Sequence, residues 1–98
     1  MKKVFISQPM KDKSNSDILN ERDAVIAELE EELGEPFEVI ESYAPKNKLA
    51  HPLISLGGAI QQLAEANLAV FCKGWEEARG CKIEHECAIQ YGIEVLEK

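Results

Sequence analysis

The residue best placed to do chemistry in this chain is Glu84, within a run that begins at Gly80 and ends at Gly92. The run follows Leu68–Cys72, an apolar segment whose composition is typical of a buried strand. We predict that Gly80 opens a helix with Glu84 in its first turn, where the helix dipole favours an ionised carboxylate. A partly desolvated carboxylate can attack an electrophilic carbon such as an anomeric centre. The spacing alone equally fits a glutamate that only stabilises the start of a helix.

Further residues are candidates for acid catalysis or for binding a small ligand. Protonation of a leaving base needs an acid separate from the nucleophile, and Glu76, Glu77 and Glu86 are near in sequence. Aromatic rings can cover a flat base or sugar, and an arginine can hold a phosphate. The candidate catalytic residues are Glu84 and Glu77, and the candidate substrate-binding residues are Ser7, Gln8, Pro9, Met10, Tyr43, Trp75, Glu76, Arg79, Gly80 and Cys81. Turn formation, packing on a sheet edge and surface ion pairs are the simpler structural roles for these same residues.

The cysteine and histidine residues give weaker indications of function. The three cysteines, Cys72, Cys81 and Cys87, show no C-x-x-C spacing, which favours reduced thiols, with Cys72 and Cys87 in the core. Arg79 and Lys82 flank Cys81 and would lower its pKa, but a phosphatase-like loop would need the arginine after the cysteine. His85 is expected to be exposed on the helix. A metal site from Cys81, His85 and Cys87 lacks an evident fourth ligand, so we predict no metal and no cofactor.

Length and charge limit the possible functions. Residues 1–98 are expected to form a single domain. The net charge of −7 argues against a nucleic-acid polymer as partner, because such binders carry a clustered basic face. No run is long and apolar enough to cross a membrane, and the N-terminus shows no signal-peptide pattern, so we expect a cytoplasmic protein with no membrane partner.

Segments typical of strands and helices alternate along the chain. The predicted strands are 3–7, 37–40, 68–72 and 93–96, and the predicted helices run from Asp17 to a stop at Gly34, from Pro52 with Leu53 and Leu63 on one apolar face, and from about Gly80 to Tyr91. This alternation is typical of a three-layer α/β/α fold with a four-stranded parallel sheet. Right-handed crossovers favour a Rossmann-like or flavodoxin-like sheet of order 2-1-3-4. Residues 7–10 and 73–84 would then face one crevice at the carboxyl ends of the strands.

Several short motifs carry a family resemblance that extends over essentially the whole chain. They are Ile6-Ser7-Gln8-Pro9-Met10, Gly74-Trp75, Arg79-Gly80-Cys81 and Ile83-Glu84-His85-Glu86. Together they resemble the DUF4406 family, small bacterial and phage proteins related to nucleoside 2-deoxyribosyltransferases. The resemblance implies a single nucleoside 2-deoxyribosyltransferase-like domain and a homodimer or higher homo-oligomer, because those enzymes complete their sites with residues of a neighbouring subunit.

The transferases carry a Gly-Thr-x-x-Glu-x-Gly-x-Ala run whose glutamate is the nucleophile. Gly80, Glu84 and Ala88 match that run in register, with Gly92 four residues beyond it, which puts the nucleophile's place on Glu84. The chain departs from the pattern elsewhere, since Cys81 stands for the threonine, Glu86 for a glycine, Ala78 for an aspartate, and Asn67 where an aspartate often precedes the third strand. The resemblance therefore implies the scaffold and the nucleophile but not the acid.

Two functions from different classes follow as hypotheses. The first is a nucleoside or nucleotide N-glycosidic bond enzyme, either a 2-deoxyribosyltransferase or a deoxyribonucleotide N-hydrolase, acting on a small-molecule nucleoside or nucleotide. The alternative is a catalytically inactive module that binds a nucleotide or a nucleotide-derived signal. A third, weaker interpretation is an interaction protein that works through its acidic first helix.

Overall fold

The computed structural model describes residues 1–41 and 51–98 of the chain. Its helices and strands are β1 (Lys2–Ser7), α1 (Asn15–Leu33), β2 (Phe37–Val39), α2 (Pro52–Leu63), β3 (Leu68–Phe71), α3 (Arg79–Gln90) and β4 (Glu94–Glu97). A short 3-10 helix, Trp75–Glu77, lies between β3 and α3. All four predicted strands are present, and their ends differ from the predicted ends by one residue at most.

The four strands form one parallel sheet of order β2-β1-β3-β4, which confirms the predicted topology. The register aligns Ser7 of β1 with Phe71 of β3, and Phe71 with Glu97 of β4. These three residues form a row across the carboxyl end of the sheet, called the Ser7–Phe71–Glu97 row below. Register partners of a parallel sheet point to the same face, so one helix can contact the whole row.

Alternation along the strands divides the core into two apolar layers. On β1, Val4 and Ile6 pack with Leu29 of α1, whereas Phe5 packs on the opposite face with Leu63 of α2 and Ala88 of α3. Both faces of a parallel sheet must be covered, because its connections are crossover helices. The sheet therefore lies between α1 on one side and α2 with α3 on the other, which is the predicted three-layer arrangement.

The helix ends show where local chemistry overrides the predicted boundaries. Helix α1 begins two residues before the predicted Asp17, because Ser14 accepts from the Asp17 amide and Asp17 in turn accepts from the Ser14 amide. It stops at Gly34, whose φ of 62° is the left-handed conformation that glycine adopts without strain. Helix α2 begins at Pro52 as predicted, after a cap in which His51 Nδ1 accepts from the Leu53 amide.

The apolar face predicted for α2 is only partly buried. Leu63 is buried in the core, but Leu53 is 68% exposed and so was wrongly assigned to the buried face. No helix in the described ranges is both long enough and apolar enough to cross a membrane.

Candidate functional site

A buried hydrogen bond at the carboxyl end of the sheet joins Ser7 to Glu84. The Ser7 hydroxyl donates to Glu84 Oε1 at 2.6 Å, and the two residues are 3% and 9% exposed. Ser7 is the last residue of β1 and points to the α3 side of the sheet, so the strand places its hydroxyl directly under the helix. The structure thus brings together the two residues predicted from opposite ends of the chain.

The position of Glu84 within α3 differs from the prediction. Helix α3 begins at Arg79 after the N-cap Ala78, which makes Glu84 the sixth helical residue and puts it in the second turn. The helix dipole acts mainly on the first turn, so it does not hold the carboxylate ionised as predicted. Burial instead raises the pKa of Glu84 above its ordinary value, and the hydrogen bond from Ser7 offsets part of that increase.

The Cys81 thiol lies one turn before Glu84 and within hydrogen-bonding reach of the Ser7 hydroxyl. We predicted that Arg79 and Lys82 would lower its pKa, and this is wrong. Both cations are exposed, whereas Cys81 is buried, and burial raises the pKa of its thiol to about 11. A largely protonated, inaccessible thiol is a poor nucleophile. Cys81 therefore completes the buried cluster around Ser7 without being a reactive group.

Helix α3 makes a second polar contact with the sheet through His85, which was wrongly predicted to be exposed. Its side chain is largely buried, and Nε2 lies 2.7 Å from Glu97 Oε2. The imidazole stacks on Trp75 with ring centroids 4.0 Å apart and planes 14° apart, and it meets Phe71 edge-on at 4.9 Å. One face of the only tryptophan is therefore covered by His85, and Phe71 also contacts its ring at a centroid distance of 5.8 Å.

The candidate acids and the candidate phosphate ligand are at the surface. Glu76 and Glu77 are exposed on the 3-10 helix, and Glu86 is exposed on α3, where it accepts from Gln90. None of these three carboxylates hydrogen bonds to a described group of the Ser7–Glu84 pair. Arg79 is exposed as the first residue of α3 and has no ion pair with a described residue.

A polar side chain in the loop after β1 makes a hydrogen bond that stabilises the fold. Gln8 Nε2 donates to the Ile18 carbonyl at 2.9 Å, which ties this loop to α1. Pro9 is half-buried against Gly74, whose φ of 91° requires glycine, and a Cβ built at Gly74 would lie 3.6 Å from Pro9 Cγ. Met10 is exposed and Gly80 is half-buried. The loops after β1 and β3 therefore meet, as the predicted crevice requires.

Two surface hollows formed by described residues lie away from this site. One lies beside Gly34 and Phe37, and the other beside Lys3 and Gln62, and Glu84 lines neither of them. Tyr43, a predicted ligand contact, is outside the described residues. In the ranges 1–41 and 51–98, no group of three or more histidine, cysteine, aspartate or glutamate side chains is arranged to hold a metal ion.

Two residues, Glu97 and Arg22, were missed by the sequence reasoning, and the contacts of a third, His85, were not foreseen. Glu97 and His85 meet only because the register of β3 and β4 brings them together, and no local motif shows that register. Arg22, on α1, is buried and donates to the Ile40 carbonyl at 3.0 Å, and burial lowers the pKa of its guanidinium. The sequence signal for this contact is an arginine on the side of α1 that faces the sheet.

Comparison with known proteins identifies no family for this chain. No family model matches the chain, and no curated protein sequence matches it.

Proposed function

We propose that the protein breaks or transfers the N-glycosidic bond of a small nucleoside or nucleotide, with Glu84 as the nucleophile. The observation that carries this proposal is the buried Glu84 carboxylate, held through Oε1 by the Ser7 hydroxyl at the carboxyl end of β1. In open α/β sheets this edge is where ligands bind. The resemblance to the nucleoside 2-deoxyribosyltransferases supports the same residue in the same role.

The hydrogen bond leaves one oxygen of the carboxylate for chemistry. Oε2 of Glu84 accepts no hydrogen bond from a described residue, so it is the atom that attacks the anomeric carbon. The new bond joins Oε2 to that carbon while the carbon–nitrogen bond breaks, and its electron pair goes to the leaving base. A water molecule or a second base then attacks the same carbon and releases the Glu84 carboxylate, which gives hydrolysis or transfer respectively.

The departing base takes up a proton, which Glu77 supplies with Glu76 as its neighbour. Both side chains are on the 3-10 helix that follows β3, at the same end of the sheet as Ser7. In this proposal Ser7 acts on Glu84, because its hydroxyl proton is already donated to that carboxylate. The remaining predicted ligand contacts are kept as part of the proposal: Gln8, Pro9, Met10, Tyr43, Trp75, Arg79, Gly80 and Cys81.

The pH dependence of the reaction follows from the state of the nucleophile. Attack requires the ionised carboxylate, and burial raises the pKa of Glu84. We therefore expect kcat to fall on the acid side with an apparent pKa above that of an ordinary glutamate. Removal of the Ser7 hydroxyl should move that limb to higher pH, because the hydrogen bond favours the ionised form.

A direct test incubates the purified protein with a panel of deoxynucleosides and deoxynucleotides, with and without a second free base. Free base or an exchanged nucleoside is measured by chromatography, and a glycosyl adduct on the protein is sought by intact-mass measurement after an acid quench. Wild-type protein should release or exchange base, and Glu84→Ala and Glu84→Gln should reduce turnover to background. Glu65→Gln removes an exposed carboxylate remote from Glu84 and should retain full activity. Absence of free base with every substrate would reject the catalytic proposal.

A second function is favoured by one observation. All three neighbouring acids are exposed, and none shares a hydrogen bond with the Ser7–Glu84 pair, which is the arrangement expected if the acid is lost and only binding remains. Such a module would bind a nucleotide or a nucleotide-derived signal without consuming it. A rise in melting temperature with nucleotides or cyclic dinucleotides, together with unchanged ligand after incubation, would distinguish it from the enzyme.

We also propose a homo-oligomer, as the family resemblance implies. Helix α2 carries no charged side chain, and its Leu53 and Ile54 are 68% and 70% exposed. An uncharged apolar surface is where two acidic chains can meet with least repulsion. Light scattering after size-exclusion chromatography should give a mass above that of one chain, and Ile54→Lys should lower it.

A further inference from the structure

Helix α3 is attached to the sheet by two consecutive residues that reach in opposite directions. Glu84 accepts from Ser7 on β1, and His85 contacts Glu97 on β4. Strands β1 and β4 are the two neighbours of β3 in the sheet, so these contacts lie on either side of the central strand. His85 also meets Phe71 of β3 edge-on. Two adjacent helical residues thus contact every member of the Ser7–Phe71–Glu97 row.

This arrangement constrains the helix more than either contact alone. Neighbouring side chains of an α-helix point about 100° apart, so the contacts of Glu84 and His85 oppose rotation of α3 in different directions. They act together with the packing of Ala88 on the core.

The groups that face the His85 ring come from three elements of the fold. Glu97 of β4 contributes the only described hydrogen bond to the ring, while Phe71 of β3 and Trp75 of the 3-10 helix contribute uncharged rings. The stack on Trp75 also holds the 3-10 helix, which carries the candidate acids, against α3. One side chain consequently connects the helix, the edge strand and the turn.

We propose that His85 is a positioning residue for Glu84. Its contacts with Trp75 and Glu97 set the rotation of α3 over the sheet and so keep the Glu84 carboxylate buried at Ser7. The consequence for catalysis depends on the proposed function, whereas the consequence for the burial of Glu84 does not.

The first experiment measures the titration of the Glu84 carboxyl carbon by NMR in the full chain. Wild-type Glu84 should titrate above an ordinary glutamate, because burial raises its pKa. Glu97→Ala removes the acceptor for His85 and should shift the Glu84 midpoint downward by more than the fitting error, because the carboxylate gains water. Glu94→Ala, on the same strand, removes an exposed carboxylate that pairs with Lys2 at the other end of the sheet and should leave the midpoint unchanged.

Variants of the imidazole separate its two contacts. His85→Phe keeps an aromatic ring beside Trp75 and loses the hydrogen bond, so it should shift the Glu84 midpoint as Glu97→Ala does. Glu97→Gln keeps an oxygen acceptor for His85 and should restore the wild-type midpoint. Should His85→Phe fail to fold, Glu97→Ala still decides the question, since Glu97 is half-exposed at the end of a strand. Unchanged midpoints in both Glu97→Ala and His85→Phe would overturn the proposal.

The second experiment uses the nucleoside reaction, and the two proposals can fail independently. A misplaced nucleophile should lower kcat about tenfold or more in Glu97→Ala with KM little changed, and Glu97→Gln should restore the rate. If wild-type protein is inactive but the Glu84 midpoint still shifts in the variants, the proposed function fails and the positioning role stands. If wild-type protein is active but neither kcat nor the midpoint responds, the positioning role fails and the function stands.

Discussion

Replacement of Ser7 by alanine tests the central contact of the candidate site. The change removes one hydroxyl from a residue that is 3% exposed and leaves Glu84 Oε1 without its donor at 2.6 Å. Alanine fills nearly the same space, so the loss reports on the hydrogen bond and not on packing. An unsatisfied ionised acceptor in a buried site costs roughly 2 to 3 kcal/mol, whereas a neutral hydrogen bond contributes about 1 kcal/mol.

The cost of Ser7→Ala should depend on pH in a defined direction. The Ser7 hydrogen bond lowers the pKa of Glu84 in the folded state, against the larger opposing effect of burial. Because the hydrogen bond favours the ionised carboxylate, it stabilises the folded protein most at pH values above the pKa of Glu84 in the folded state. This stabilisation decreases as the pH falls through that pKa. We therefore expect a loss of roughly 2 to 3 kcal/mol near pH 7.5, falling to about 1 kcal/mol near pH 4, where the carboxyl is protonated.

The measurement is urea unfolding followed by circular dichroism at both pH values, with thermal melting as a second readout. A loss of 2 to 3 kcal/mol corresponds to a fall in Tm of roughly 10 to 15 °C for a domain of this size. Ser16→Ala, on the exposed surface of α1, is the matched control and should change stability by less than about 0.5 kcal/mol. An equal loss at the two pH values would refute the reasoning, because the hydroxyl would then not distinguish the charged from the neutral carboxyl.

Three further outcomes are expected. Cys72 and Cys81, whose pKa values burial raises to about 11, should alkylate far more slowly in the folded protein than after unfolding, with half-buried Cys87 modified first in mass spectra of the folded chain. Ser14→Ala removes the side chain that caps α1 and should lower the free energy of unfolding by about 1 kcal/mol, measured in urea, with Ser14→Asn close to wild type. Leu29 of α1 is fully buried, so Leu29→Ala opens a cavity and should cost about 3 kcal/mol in the same assay, and a cost below about 1 kcal/mol would contradict the assigned core.

The fold was predictable because its main signals are local. Apolar strands alternate with amphipathic helices, and this pattern together with right-handed crossovers favours the observed strand order. The same reasoning placed Ser7 and Glu84 at one edge of the sheet. The capping pair Ser14 and Asp17 is also visible in the sequence, whereas the predicted start at Asp17 follows the apolar period of the helix.

The details of the site were less predictable for identifiable physical reasons. Helix α3 begins after Ala78, whose side chain makes no capping hydrogen bond, so the sequence did not mark its exact start. Glu84 is its sixth residue and lies in the second turn, whereas the first turn was predicted. The contact of His85 with Glu97 depends on the register of two strands and on the rotation of a helix over them. Leu53 follows the helical period of α2 but lies in its first turn, far along the helix from the packed Ala59 and Leu63.

The strand order has a consequence for how the sheet meets other chains. Within residues 1–41 and 51–98, strands β2 and β4 are the two edges of the sheet, and each pairs with one neighbouring strand. Strand β2 is three residues long with Glu38 at its centre, and β4 begins and ends with Glu94 and Glu97. Short, acidic borders of this kind oppose the addition of a further strand, because an approaching copy would bring like charges together. Glu97, which contacts His85, thus also opposes edge-to-edge aggregation of the sheet.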